Sequence, residues 1–138
     1  MSAKRRRALS LMERLRGLDI DEVKRDMADL RRQMTALKEG REDLRERLKR
    51  ERLVSSPEAQ PYIAAFVQSV TAEMRRIEAK MLEIEPQLIR YENQLRELYR
   101  EQKVYETVRV KDLRDEQRER ARREQQEIEE MTILRWNR

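Results

Sequence analysis

Leu53-Val-Ser-Ser-Pro-Glu-Ala-Gln-Pro61 is the one stretch that interrupts an otherwise helical chain. Pro57 and Pro61 each fix φ and lack a backbone donor, and Ser55 and Ser56 favour turns over helix interiors. Pro57 is suited to open the next helix, with Ser56 as its cap. The chain therefore reads helix, turn, helix.

Apolar residues on both sides recur every three or four positions. Before the break the line is Ile20, Val23, Met27, Leu30, Met34, Leu37, Arg41, Leu44 and Leu48. After it the line is Ile63, Val67, Val70, Met74, Ile77, Met81, Ile84, Leu88, Tyr91, Leu95, Leu98, Gln102 and Tyr105. A repeat of 3.5 residues held this long is the seam of a left-handed coiled coil. The expected fold is all-α: two long helices forming an antiparallel coiled-coil hairpin. Residues 1–138 make a single domain, with helix 1 over about 3–52, a turn at 53–60 and helix 2 over about 60–135. Pro86 falls at the outermost heptad position, so a tolerated kink is expected there.

The flanking charges predict the pairing. Lys24, Arg31, Lys38 and Arg45 flank the first seam, and Glu92, Glu85, Glu78 and Thr71 flank the second. Matched in that order, the numbers of every pair add to 116, which centres the hairpin on residue 58 inside the break. Exposed pairs contribute little energy, about 0.2–1 kcal/mol each, but they select partner and direction. In this register residues 116–138 of helix 2 overhang, carrying Ile128, Met131, Ile133, Leu134 and Trp136 without cover. Unpaired apolar residues of that kind point to a partner. Arg41 and Gln102 interrupt the seam and are read as register control, with Arg41 extending its head to the surface. Tyr62 and Phe66, one helical turn apart near the closed end, either cap the seam or meet a second partner.

Composition excludes most chemistry. The chain is 44% charged and has one Phe, one Trp and four Tyr, too few for a globular core. It contains no Cys and no His, so thiolate chemistry is excluded and the commonest general base and zinc ligands are missing. No His can activate Ser2, Ser10, Ser55, Ser56 or Ser69. No catalytic, cofactor or metal residues are expected, and the protein is read as no enzyme. No apolar run nears the ~20 residues of a membrane span. Met1–Arg7 is basic but lacks the apolar core of a secretory signal, so a cytoplasmic location without membrane insertion is expected. Net charge is +5, and residues 1–52 hold 17 basic and 11 acidic side chains. Cross-helix pairing accounts for that excess, leaving only Arg5, Arg6 and Arg7 for nucleic acid, which is not an expected partner.

The last third resembles the FliJ family, the soluble stalk of the bacterial flagellar type III export ATPase. The resemblance rests on Glu124-Gln-Gln-Glu-Ile-Glu-Glu-Met-Thr-Ile-Leu-Arg135 and on Lys103-Val-Tyr-Glu106. The family tail reads Glu-Gln-Lys-x-Leu-Asp-Glu-Leu-Ala before an Arg. Here Gln126 stands for Lys, Ile128 for Leu, Glu129 for Asp and Thr132 for Ala. The motif covers about thirty residues, the helix-turn-longer-helix layout nearly the whole chain. The resemblance implies a stalk that inserts into a hexameric ATPase ring, stimulates it, links it to the membrane export gate and binds export chaperones. Its place would be the cytoplasmic face of the inner membrane, at the base of the flagellum. The implied ring contacts are Arg5, Arg6, Arg7, Arg14, Arg16, Arg122, Arg123, Gln125, Ile128, Glu130, Met131, Arg135 and Trp136. The implied gate contacts are Tyr62, Ile63, Phe66, Val67 and Val70. A monomer is expected in isolation. The alternatives are the homologous stalk of a virulence-type secretion system and a generic scaffolding coiled coil that forms a homodimer.

Overall fold

The computed structural model describes residues 3–53 and 56–137. Val54 and Ser55, inside the expected turn, lie outside the described residues. The fold is all-α. Helix α1 spans Ala3–Arg52, a single 3-10 turn spans Pro57–Ala59, and helix α2 spans Gln60–Trp136. The two helices form an antiparallel coiled-coil hairpin whose second helix is longer, 77 residues against 50. Lys49, Arg50 and Arg52 sit in the last turn of α1, where cations complement the helix dipole. Ser56 is extended, and its carbonyl accepts from the Ala59 N–H at 3.1 Å; its hydroxyl makes no capping bond. Pro57 therefore starts the chain back through its fixed φ and the 3-10 turn.

The helices divide into two compact units. A turn unit comprises Glu22–Leu95, and a terminal unit comprises Met1–Asp21 with Arg96–Arg138. In the turn unit the apolar line faces inward throughout. Val23, Met27, Val70 and Ile84 are buried, and the other seam positions from Leu30 to Leu95 are half-buried. Ile84, only 2% exposed, is the most deeply buried of them. Fully burying such a side chain is worth about 1.5–3 kcal/mol. Arg41 lies half-buried in the line, its Nε without a hydrogen-bond partner. Gly40 faces α2 with space to spare, since a Cβ built there would sit 3.8 Å from Ile77 Cδ1.

Pro86 lies inside α2 on the exposed side. A proline there leaves the Leu82 carbonyl without its N–H partner. The solvent-facing position lets water replace that bond, and the helix continues through it.

The expected cross-helix charge pairs are the point of departure. In the turn unit Arg32–Asp29, Arg45–Glu42, Lys49–Glu46, Arg76–Glu73 and Lys80–Glu83 are ion pairs along single helices. Lys38 and Glu78 line one groove with Met34 and Met81 but form no ion pair. Partners three residues away on the same helix need less side-chain ordering than partners across a seam. Among the described residues Arg31, Lys38 and Arg45 thus make no ion pair across the seam.

Candidate functional site

The terminal unit is built differently. Ile20 and Leu98 are buried, and beyond them the inward face of α1 becomes polar. Stepping back from Ile20 by four and three gives Arg16, Glu13, Leu9 and Arg6, all half-buried. Stepping on from Tyr105 gives Arg109, Asp112 and Glu116. These two polar lines interlock. Arg109 Nε donates to Glu13 Oε2 at 2.6 Å and its Nη2 to Oε1 at 3.2 Å, a bidentate fork. Arg6 pairs with Glu116, and Arg16 pairs with Asp19 at 3.2 Å and Glu101 at 3.6 Å. Gln102 Nε2 donates to the Glu13 carbonyl at 3.1 Å, so this seam defect ties the helices together. Gly17 makes room for that amide, because a Cβ there would stand 3.3 Å from Gln102 Nε2.

Hydrogen bonding to Glu13, then the charge of the same carboxylate, raises the Arg109 guanidinium above its ordinary value. Arg109 therefore stays charged at every physiological pH. Asp112 is the exception to the pairing: it is 6% exposed, and its Oδ2 has no hydrogen-bond partner among the described residues. Burying a charged or polar group without a partner opposes folding. The terminal unit is therefore held by charge-assisted bonds and burdened by a buried Asp112 oxygen without a hydrogen bond.

Its apolar residues, meanwhile, face out. Leu11, Leu15 and Leu18 are each at least 41% exposed, and with Ala8 they fall within about 80° of arc on α1 at ~100° per residue. This stripe lies opposite the face that meets α2. Arg7 and Arg14 border it, and neither has an ion-pair partner among the described residues. Lys4–Arg7 also occupy the first turn of α1, which has no acidic residue, so their charge opposes the helix dipole. On α2 the residues past Gln117 are exposed throughout, including Ile128, Met131, Ile133, Leu134 and Trp136, the last at 88%. Large apolar side chains and basic charge are thus exposed together on the terminal unit.

The residues implied by the resemblance fall into separate environments. Arg5, Arg7, Arg14, Arg122, Glu130, Ile128, Met131, Arg135 and Trp136 are exposed. Arg6 and Arg16 instead lie between the helices in ion pairs, which makes them parts of the scaffold. Arg123 pairs with Glu119 at 2.9 Å, and Gln125 donates to Glu129 at 3.4 Å, both along the helix surface. In the turn unit Tyr62 is exposed, Ile63, Phe66 and Val67 are half-buried, and Val70 is buried in the seam. Among the described residues near the turn, Tyr62 and Leu53 are the exposed large apolar side chains. The sequence reading missed the Leu11–Leu15–Leu18 stripe and the Glu13–Arg109 fork. Continuing the seam count past Ile20 and Tyr105 finds the fork, and counting leucines on the opposite face finds the stripe.

Among the described residues no helix is long and apolar enough to cross a membrane. No group of three or more His, Cys, Asp or Glu there could hold a metal ion. Comparison with known protein families, curated proteins and solved structures gives no match.

Proposed function

We propose that this chain is a stalk component of a bacterial flagellar type III export apparatus, acting by binding and without catalysis of its own. It inserts the terminal unit into a hexameric export ATPase and stimulates hydrolysis. The region near the turn reaches the membrane export gate, and the shaft carries export chaperones. Its place is cytoplasmic, at the inner-membrane base of the flagellum. The observation that carries this reading is the bare end of α2, with Ile128, Met131, Leu134 and Trp136 exposed, together with the exposed Leu11–Leu15–Leu18 stripe of α1. The tail resemblance from Glu124 to Arg135 supports the identity of the partner.

A ring interior that accepts a helical stalk needs two properties from it. Apolar side chains must be available without unfolding, and the basic start of α1 must find acceptors for Lys4, Arg7 and Arg14. Both are present in the terminal unit. Deletion of residues 118–138 tests the proposal, because it leaves the Arg6–Glu116 pair in place. The truncated chain should stay helical by circular dichroism and lose stimulation of the cognate ATPase. Full stimulation by the truncated chain refutes the assignment.

A further inference from the structure

We infer that the exposed end of α2 is an antiparallel self-association surface whose occupant is the same segment of a second copy. This goes beyond the export reading and rests on spacing, exposure and charge alone.

From Val110 on, α2 carries a second line of apolar residues, about 100° around the helix from the line that meets α1. Val110 and Leu113 begin it, and Ile128 and Met131 end it. Val110 is half-buried, and the other three are 39–68% exposed. At ~100° per residue all four fall within about 60° of arc. They also stand symmetrically along the helix: 110 with 131 and 113 with 128 both add to 241. Two copies laid antiparallel about a two-fold axis near residue 120 therefore place Val110 on Met131 and Leu113 on Ile128, each contact made twice. The same register sets Glu106 against Arg135, on the same face and of opposite charge. Arg135 has no ion-pair partner among the described residues, and Glu106 pairs with Lys103 on its own helix at 3.3 Å and feels the charge of Arg109 one turn on. Gln117 and Glu124 complete the line near the axis. An isologous pairing of this kind closes on itself and leaves no further edge to extend.

The pairing also removes a cost the single chain carries. Beyond Glu116 a helical stretch this charged and exposed has little but its own i,i+4 pairs to hold it. A second copy supplies the missing apolar neighbours without altering α1. Because the same tail is the proposed ATPase contact, the pair must open before a ring is engaged.

The test is the mass of the full chain by light scattering, without ATPase. The wild type at about 100 µM should scatter as twice the 16.9 kDa chain, and dilution should halve the mass. I128E/M131E should stay at the single-chain mass at every concentration. Its circular dichroism should be unchanged, since both side chains are exposed. E106R should weaken the dimer about tenfold, and adding R135E should restore it. The chain has no Cys, so Q117C and E124C can each be made as the sole thiol. Under oxidation the two variants mixed should cross-link faster than either alone. A wild type that is monomeric throughout overturns the inference, as does a dimer indifferent to I128E/M131E or one that cross-links best through like positions. ATPase stimulation is a separate reading: it can fail with the dimer intact, or persist in a chain that never pairs.

Discussion

The turn unit and the terminal unit use one heptad frame for opposite purposes. In the turn unit the frame points Val23, Met27, Val70 and Ile84 inward and leaves charge outside. In the terminal unit, beyond Ile20 and Leu98, it points Arg6, Glu13, Arg16, Arg109 and Asp112 inward and leaves Leu11, Leu15 and Leu18 outside. The turn unit draws its stability from apolar burial. The terminal unit depends on ion pairs whose desolvation offsets much of their attraction. A seam of the second kind holds register while binding weakly, and its outer face is free to bind something else. That difference teaches where the molecule buries its apolar surface and where it leaves it exposed.

Truncating the turn unit should give the largest effect. Ile84→Ala removes the most buried side chain and should cost about 2–5 kcal/mol in urea unfolding. A cost under about 0.5 kcal/mol would mean that the seam does not carry this unit.

Next comes the polar seam. Glu13→Ala leaves Arg109 without its fork and should destabilise the terminal unit. Glu13→Leu with Arg109→Leu should restore or exceed the original stability, because it removes two charges that must be desolvated. Hydrogen exchange of the residue 5–18 amides reports the change locally. In the wild type these amides should also exchange faster as salt rises, since the side chains are only part-buried. Equal protection in low and high salt would erase the distinction between the two units.

The glycines offer a finer contrast. Gly40→Ala should stabilise by about 0.5–1 kcal/mol, because the added methyl meets Ile77 at ordinary contact distance. Gly17→Ala should gain less or nothing, since its methyl crowds the Gln102 amide that donates to Glu13. Thermal melting of both variants checks the order. The smallest effect belongs to Leu82→Ala in the turn unit. Leu82 is 69% exposed outside the seam, so its removal should change stability by no more than about 0.5 kcal/mol.

Much of the architecture was legible because it depends on local rules. Pro57 and Pro61 end one helix and start another through covalent geometry. The inward line from Ile20 to Leu48 and from Ile63 to Tyr105 follows from a period alone, and none of those positions is exposed. The register was legible to within a few residues. Contacts between the helices add to between 115 and 122, bracketing the 116 read from charge. Each side chain leans toward the N-terminus of its own helix, so long pairs such as Arg6–Glu116 meet beyond the backbone register. The expected Arg31–Glu85 and Lys38–Glu78 pairs do not form among the described residues, because a carboxylate on the same helix competes with one across the seam. Nor were the roles of Arg6 and Arg16. A run of basic residues looks alike whether it faces solvent or a partner helix.

By itself the sequence determined that the chain is two helices folded on each other, since periodicity and proline act on the backbone wherever they occur. Only the tertiary structure decided which charges are consumed inside, which carboxylate is buried without a partner, and which leucines are left outside. Those outcomes depend on what stands opposite each residue, and a sequence order holds no record of that until the helices are laid side by side.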